Sequence, residues 1–374
     1  MPDLSLVMLG AGSSSRFAKQ VKKQWIRVDD TPLWLHATEN LAKIYPFEHI
    51  IVTVSPDEMN YAKKFSDTII FVEGGNSRQE SLKNALLHVE TSCVLVSDIA
   101  RPCIDKPMFE RILEQSSHYD IVVPYLNVVD TVVYEDKTIN REAIKLIQTP
   151  QLSNTKILKK ALETTVDYTD DSSAIQALGG SVGYVRGSKE ALKLTCREDI
   201  DAIPCLKAPS SHLFVGNGFD VHRFEEGKVM MLGGIEVHQE IGFKAHSDGD
   251  VVIHALIDAL LGASGAGDIG ELFPDSDALY KNIDSKALLQ KVCDFLKKVG
   301  FEIINCDITI MAEFPRLSSF KDAMRFCLAR IMEIPPIHVN IKATTTEKLG
   351  FIGREEGVGV NATATLKYYD WKNL

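Results

Sequence analysis

Much that would narrow a function is missing from this sequence. Its 374 residues contain no low-complexity tract and no internal repeat between the two halves. No stretch approaches the ~20 apolar residues that a membrane span needs. The opening residues, MPDLSLVMLGAG, show neither a basic n-region nor a cleavage pattern. Basic residues are not in excess: 41 Lys and Arg stand against 51 Asp and Glu, a formal net charge of −10. That balance argues against a general affinity for nucleic acid or an anionic membrane, while local basic clusters can still bind phosphate. The seven cysteines (93, 103, 196, 205, 293, 306, 327) include no C-x-x-C pair. An odd, dispersed set predicts reduced thiols in packing roles, in a soluble cytoplasmic protein.

The composition, 45% hydrophobic and 25% charged, is that of a globular chain, and the length predicts two domains rather than one core. In the first half, LSLVMLG (4–10), HIIVTVS (49–55), TIIFVEG (68–74), CVLVSD (93–98) and DIVVPYL (120–126) predict strands buried on both faces. Helical spacing over 56–65, 78–89 and 106–115 lies between them. This rhythm predicts an α/β fold with a doubly wound, parallel, Rossmann-like sheet. NVVDTVVYEDKTIN (127–140) interrupts it and predicts a protruding β-arm. DAIPCLKAPSSHLF (201–214) has linker composition. The expected limits are a first domain over 1–205, a linker over 206–212 and a smaller α+β domain over 213–374. In that second domain GFDVH should form a hairpin with KVMMLGGIEV. Helices are expected near 249–263, 285–299 and 319–332, with strands over 303–313 and in HVNIKATT and VGVNATATLKYY.

After the first strand comes LGAGSSSRFAKQVKKQW (9–25). Gly10 and Gly12 allow a tight turn, and a helix N-terminus behind it offers unpaired N–H groups to an anion. Ser15 stands where a dinucleotide fingerprint needs its third glycine, which disfavours a dehydrogenase. Arg16, Lys19, Lys22 and Lys23 point to phosphate; a tight turn with a solvated basic face is the plainer alternative. EGGNSRQES (73–81) and VSDIARP (96–102) also follow strand ends, where ligands of open α/β sheets bind. A carboxylate there, Asp98, suggests Mg²⁺ bridging a triphosphate, or more plainly a helix cap.

G-A-G-x-x-x-R, K-Q, G-G-x-x-R-x-x-S, D-x-A-R-P, D-T and T-P-Q in this order resemble methylerythritol phosphate cytidylyltransferase, of the non-mevalonate isoprenoid pathway, over residues 3 to 205. The resemblance implies transfer of CMP from CTP to 2-C-methyl-D-erythritol 4-phosphate with release of pyrophosphate. It implies that Arg16, Lys23 and the late Lys193 are catalytic cations, and that Gly10, Ala11 and Gly12 form the phosphate loop. Gly75, Asn76 and Ser81 would shape the cytosine pocket, and Asp98 would hold Mg²⁺ or Mn²⁺. Thr131 and Arg141 would take the substrate phosphate across a dimer interface. The chain departs from the family at Ser14 (usually Gly), Lys22 (usually Pro), Ser97 (usually His) and Ile99 (usually Ala).

In GFDVHRF (218–224), Asp220 and His222 stand two apart and so share a strand face. AHSDGDVVIHALIDALLG (245–262) adds His254 on a helix, with Ser247 and Asp250 in a capping-box pattern and Asp258 one turn beyond the histidine. One carboxylate and two imidazoles suit an open zinc-type centre, and Asp258 is placed to hold a histidine N–H. Singly, each residue has a duller reading: a strand-end polar pair, a half-buried helix histidine.

Together with G-D-I-G-x-L-F-P-D and K-A-T-T-T-E-K-L-G-F, these runs resemble methylerythritol cyclodiphosphate synthase over about 213–369. The resemblance implies that CDP-methylerythritol 2-phosphate is cyclised to 2-C-methyl-D-erythritol 2,4-cyclodiphosphate with release of CMP. Asp220, His222 and His254 would hold Zn²⁺ or another divalent cation, and Glu347 a second one. His246 and Ser247 would grip the terminal phosphate, and Asp268, Gly270 and Asp275 the methylerythritol. Thr344 and Thr345 would contact the diphosphate, Ala312, Pro315 and Leu317 the cytidine, and Phe351 and Arg354 would complete the substrate site.

The two families act at non-adjacent steps, and no Walker loop or kinase motif set occurs here. A separate kinase is therefore implied, and its association with this chain is a further expectation. Dimeric and trimeric tendencies together predict a homo-oligomer, six chains if both persist. Two rivals stand: a generic nucleotidyltransferase fused to a zinc-dependent phosphohydrolase, and a nucleotide-sensing module with a structural zinc.

Overall fold

The computed structural model describes residues 3–14, 17, 21–245, 247–273 and 283–373. The chain divides into two compact units, Met1–Pro209 with Trp371–Leu374, and Ser210–Asp370.

The first unit is built on β1 (Leu4–Leu9), β2 (Ile50–Val54), β3 (Ile70–Glu73) and β4 (Cys93–Asp98). β1 pairs in parallel with β2 and β4, and β2 in parallel with β3. Leu6, Val7, Ile51, Val52, Val94, Leu95 and Val96 are wholly buried. Each such side chain contributes about 1.5–3 kcal/mol, which is why unbroken apolar runs rather than alternating ones form these strands. α1 (Leu33–Ile44) precedes β2. α2 (Arg78–Leu86) is capped by Ser77, which accepts from Glu80 N, and α3 (Lys106–Glu114) by Asp105, which accepts from Met108 N. β5 (Ile121–Asn127), β6 (Lys145–Ile147), β7 (Gln151–Asn154) and β8 (Val182–Arg186) extend the sheet. The order is β6-β5-β7-β4-β1-β2-β3, with β8 on β5. The expected parallel α/β sheet is present; β6 and β7, absent from the periodicity reading, run antiparallel within it. An exposed hairpin pairs Val132–Tyr134 with Lys137–Ile139 around Glu135 and Asp136, both at positive φ.

Cys103 and Cys205 form a disulfide across 102 residues, which corrects the expectation of uniformly reduced thiols. The fold returns residues 196–205 to the loop after β4, a proximity no local spacing announces. The other five cysteines are free; burial pushes the Cys293 and Cys306 thiols up to about 12, as packing residues.

In the second unit β9 (Leu213–Glu226) runs antiparallel to β13 (Gly357–Tyr368) and, at its end, to β10 (Ile241–Phe243). β11 (Phe301–Met311) lies antiparallel to β13 and parallel to β12 (Val339–Thr344), giving the order β10-β9-β13-β11-β12. α4 (Val251–Ser264), α5 (Ser285–Lys298) and α6 (Lys321–Met332) complete it. The predicted hairpin is corrected: GFDVH pairs with β13, while Met230–Leu232 folds onto Ile235–His238 across Gly233 and Gly234, both at positive φ. Two Gly residues make that turn cheaper than any long-range partner for the same strand. α4 lies directly on β9, because a Cβ at Gly216 or Gly218 would collide with the carbonyl oxygen of Ala259 or Ala255. Asp250, not Ser247, caps α4, accepting from Val252 N and Ile253 N.

Candidate active sites

The first site lies where the chain leaves the carboxyl ends of β1, β3 and β4. A cavity of about 550 Å³ is lined by Gly10, Ala11 and Gly12, by Lys23, by Gly75, Asn76 and Ser81, and by Asp98 and Lys193. Gly10 N–H donates to Thr53 O and Oγ1 at 3.1 Å, fixing the loop's entry. Ser81 Oγ accepts from Gly75 N at 3.0 Å, and Glu80 Oε2 accepts from Asn76 N at 2.6 Å. Lys193 Nζ lies 2.6 Å from Asp98 Oδ2, and Arg78 Nε 3.7 Å from Asp98 Oδ1. Burial would raise the Asp98 carboxyl, but Arg78, Lys193 and Arg101 outweigh it and hold it below the usual carboxylate range. Arg78 is itself anchored on buried Asp171, 2.7 Å away.

Ser13, Ser14, Gln24, Arg78 and Ile99 also line this cavity and were not among the expected ligand contacts. Arg78 sits inside the G-G-x-x-R-x-x-S run and Gln24 inside K-Q, so motif position was the available signal. Thr131 and Arg141 lie elsewhere, at the hairpin, where Arg141 Nη1 donates to Val129 O at 2.6 Å. Arg16 and Lys19 are outside the described residues, as are His246 and Asp275 of the second site.

The second site rests on the alternation of β9. Even-numbered residues face α4, so Asp220 and His222 both project toward His254. Their ligand atoms lie within 4.8 Å of one another, the one such cluster among the described residues. His254 Nδ1 is 3.2 Å from Asp220 Oδ2, and His222 Nδ1 is 3.4 Å from the same oxygen. His222 Nδ1 is buried without a hydrogen bond. Burial would raise the Asp220 carboxyl, but the His254 hydrogen bond brings it below its ordinary value. Burial lowers His222; in His254 burial is outweighed by Asp220, which raises it. A carboxylate with two close imidazoles, one carrying an orphaned nitrogen, fits a divalent N/O-liganded metal with an open position.

The supporting contact differs from the sequence expectation. His254 Nε2 lies 3.1 Å from Ser285 Oγ and 3.4 Å from Ser247 Oγ, and Ser285 is held by Asp248. Asp258 instead accepts from Ile269 N at 2.9 Å. A cavity of about 320 Å³ joins the Asp-His-His cluster to Lys244, Ser247, Asp258 and Gly270. Asp268 caps the short helix beside it, accepting from Glu271 N. The remaining expected residues gather at a different place. Ala312 N–H donates to Thr344 O at 3.0 Å, Thr345 Oγ1 to Glu347 Oε1 at 3.1 Å, and Arg354 Nε to Glu356 Oε1 at 2.7 Å. Leu317 is buried, Pro315 follows a cis bond, and Phe351 is 41% exposed.

An α/β unit with a cation-lined cavity at its strand ends and, in the same chain, an α+β unit with an Asp-His-His centre define a two-site enzyme of phosphate chemistry. Residues 4–204 match the 2-C-methyl-D-erythritol 4-phosphate cytidylyltransferase family, and residues 213–367 the YgbB family. The chain is 54% identical over 372 residues to a bifunctional enzyme IspD/IspF of Aliarcobacter butzleri, covering 100% of both. It is 53% identical over 374 residues to that of Campylobacter lari, again covering 100% of both. Its fold matches the bifunctional IspDF of Campylobacter jejuni with a TM-score of 0.88 at 48% identity, over 99% of this chain and 100% of that one. The chain belongs to the bifunctional IspD/IspF family. It is a two-reaction enzyme of isoprenoid synthesis, a cytidylyltransferase and a cyclodiphosphate synthase.

Proposed function

We propose that the β1–β3–β4 cavity carries out cytidylyl transfer, with Lys23, Arg16 and Lys193 as its cations. A phosphate oxygen of methylerythritol 4-phosphate attacks the α-phosphorus of CTP, a bond to that oxygen forms, and the bond to pyrophosphate breaks. Charge builds on the α-phosphate oxygens, where fixed cations are worth most and no acid–base group is needed. Gly10, Ala11 and Gly12 cradle the phosphates; Gly75, Asn76 and Ser81 take the cytosine. Mg²⁺ or Mn²⁺ bound with the nucleotide would be held by Asp98 and supply further neutralisation. Thr131 and Arg141 reach the substrate phosphate from a second copy of the chain. The observation that carries this reading is the convergence of three glycine- or carboxylate-bearing strand ends with Lys23 and Lys193 on one cavity.

In the second unit Asp220, His222 and His254 would hold Zn²⁺ or another divalent cation and Glu347 a second one, which would neutralise and polarise the diphosphate. His246 and Ser247 grip the terminal phosphate, Asp268, Gly270 and Asp275 the sugar alcohol, and Thr344 and Thr345 the diphosphate. Ala312, Pro315 and Leu317 of a neighbouring copy of the chain take the cytidine, with Phe351 and Arg354 completing the shared pocket. Held in this way, an oxygen of the 2-phosphate attacks the β-phosphorus and CMP leaves; orientation supplies most of the gain.

The domain limits of the reading are 1–205 and 213–374 around a 206–212 linker, in a cytoplasmic enzyme that forms a homo-oligomer of up to six chains. Leu213, Val215, Phe219 and Val221 on the outer face of β9 are 63%, 66%, 57% and 42% exposed, which supports self-association there. Association with the separate kinase is part of the same reading; a failed pull-down removes it. The cytidylyl reading is tested by ³¹P NMR with CTP, Mg²⁺ and methylerythritol phosphate. Pyrophosphate should appear, and Lys23→Ala should abolish it; no pyrophosphate from folded wild-type protein defeats the reading.

A further inference from the structure

Glu58 lies in a short 3-10 turn, Pro56–Glu58, just after β2, and is fully buried. A carboxylate removed from water is retained only where partners compensate it. Its partners come from one segment. The Lys22 ammonium forms an ion pair with Oε1, Trp25 Nε1 donates to Oε2 at 2.8 Å, and Gln24 Nε2 reaches the same oxygen at 3.5 Å. Lys22 also donates to Ser55 Oγ at 3.0 Å and, unlike Lys23, does not line the cavity. The turn Lys23–Trp25 has no side-chain cap of its own.

Gln24 carries the link onward. Its Nε2 also donates to Gly12 O at 3.1 Å, and its Oε1 accepts from Ser14 Oγ at 2.8 Å. Ser14 stands at φ 57, a left-handed conformation unfavourable for any residue but glycine. Glu58 thus touches the three neighbours around Lys23 (Lys22, Gln24 and Trp25), and through Gln24 the Gly12–Ser14 loop. Lys23, Gly12 and Ser14 line one cavity.

We propose that Glu58 is a positioning residue of the cytidylyl-transfer site: its buried carboxylate locks Lys23 and the Gly12–Ser14 loop into one geometry. The proposal rests on reading Lys23 as a transfer-site cation. Lys22 supplies the counter-charge that lets the Glu58 carboxylate stay buried.

The test uses full-length Glu58→Gln, Glu58→Ala, Gln24→Ala and Gln24→Ala/Glu58→Gln, with Lys23→Ala alongside. Pyrophosphate release is measured against CTP concentration, CMP release by the second unit is measured in the same preparations, and thermal melting reports the folded fraction. A misplacement of about 1 Å costs on the order of 10²-fold, so Glu58→Ala should lower kcat about 10²-fold. Glu58→Gln, which keeps an acceptor for Trp25, should lower it about 10-fold. KM for CTP should change by less than about threefold and CMP release should not change. The double variant should lose no more than about twofold beyond the worse single, because both residues act through one link. The proposal is overturned if kcat per folded molecule is unchanged in both Glu58 variants, if KM alone moves, or if the Gln24 and Glu58 losses multiply in full. Should Lys23→Ala release pyrophosphate at the wild-type rate, the reading of the site falls first and the proposal with it.

Discussion

The two units meet the same problem, charge on a transferring phosphate, with opposite preparations. In the first, the carboxylate of Asp98 is already matched by Arg78, Lys193 and Arg101, and Arg78 is in turn matched by Asp171. In the second, Asp220 faces the imidazoles of His222 and His254, and one imidazole nitrogen remains unsatisfied. A network of side-chain ion pairs holds its shape before any ligand arrives. Two imidazoles and a carboxylate are already turned toward one another, the arrangement a divalent cation would require. The first cavity therefore carries balanced ion pairs, while the second is built around a close Asp-His-His cluster.

Removing the cation proposed for Asp220, His222 and His254 should separate the two most sharply. With a zinc-selective chelator in excess Mg²⁺, CMP release from CDP-methylerythritol 2-phosphate should fall by at least about 10²-fold, while pyrophosphate release from CTP stays within twofold. Parallel ³¹P time courses check this; equal loss of both would erase the contrast. A smaller effect is expected at Ser285, which orients His254 from the far side of its ring. Ser285→Ala should weaken metal retention by about 10- to 100-fold, the usual range for outer contacts to a ligand histidine, as read by competitive chelator titration.

Acid should act on the first unit through Asp98. Its folded carboxyl lies below the unfolded value of about 3.9, so its contribution to stability is present above that value. It is lost as pH falls through the depressed folded value. Chemical-denaturant melts of the wild type should weaken below about pH 4, with a shallower slope in Asp98→Asn. The smallest effect belongs to Ser14→Gly. Relief of the left-handed strain, about 1–2 kcal/mol, opposes loss of the hydroxyl bond to Gln24, about 1 kcal/mol. Denaturation midpoints should place the net change within about 1 kcal/mol.

What was legible in the sequence follows the range of the interactions involved. β1, β2 and β4 announce themselves because burial on both faces demands unbroken apolar runs, and the edge strand β3 keeps an apolar run although only Val72 is buried. The Asp220 and His222 pair was equally plain, since a period of two on a strand is local geometry; His254, 34 residues from Asp220, was joined to it by the run of motifs and not by spacing. β6 and β7, reading KLI and QLSN, have no pattern of their own and exist because β4 and β5 offer them edges. α1 begins at Leu33 behind Pro32, which offers no side-chain cap, and this removes the usual start signal. Ser285, 31 residues from His254, and Cys205, 102 from Cys103, are brought in by tertiary packing alone. Glu58 read as an ordinary position in a helical run; only the fold reveals that it is buried against Lys22 and Trp25.

The central claim is that one chain carries two independent sites of different construction. Lys23→Ala and His254→Ala, each assayed for both reactions in the intact protein, test it most directly. Lys23→Ala should lower pyrophosphate release by about 10²- to 10³-fold and leave CMP release unchanged, and His254→Ala should do the reverse. If either substitution depresses both reactions equally in folded protein, the two sites are not independent and the account fails.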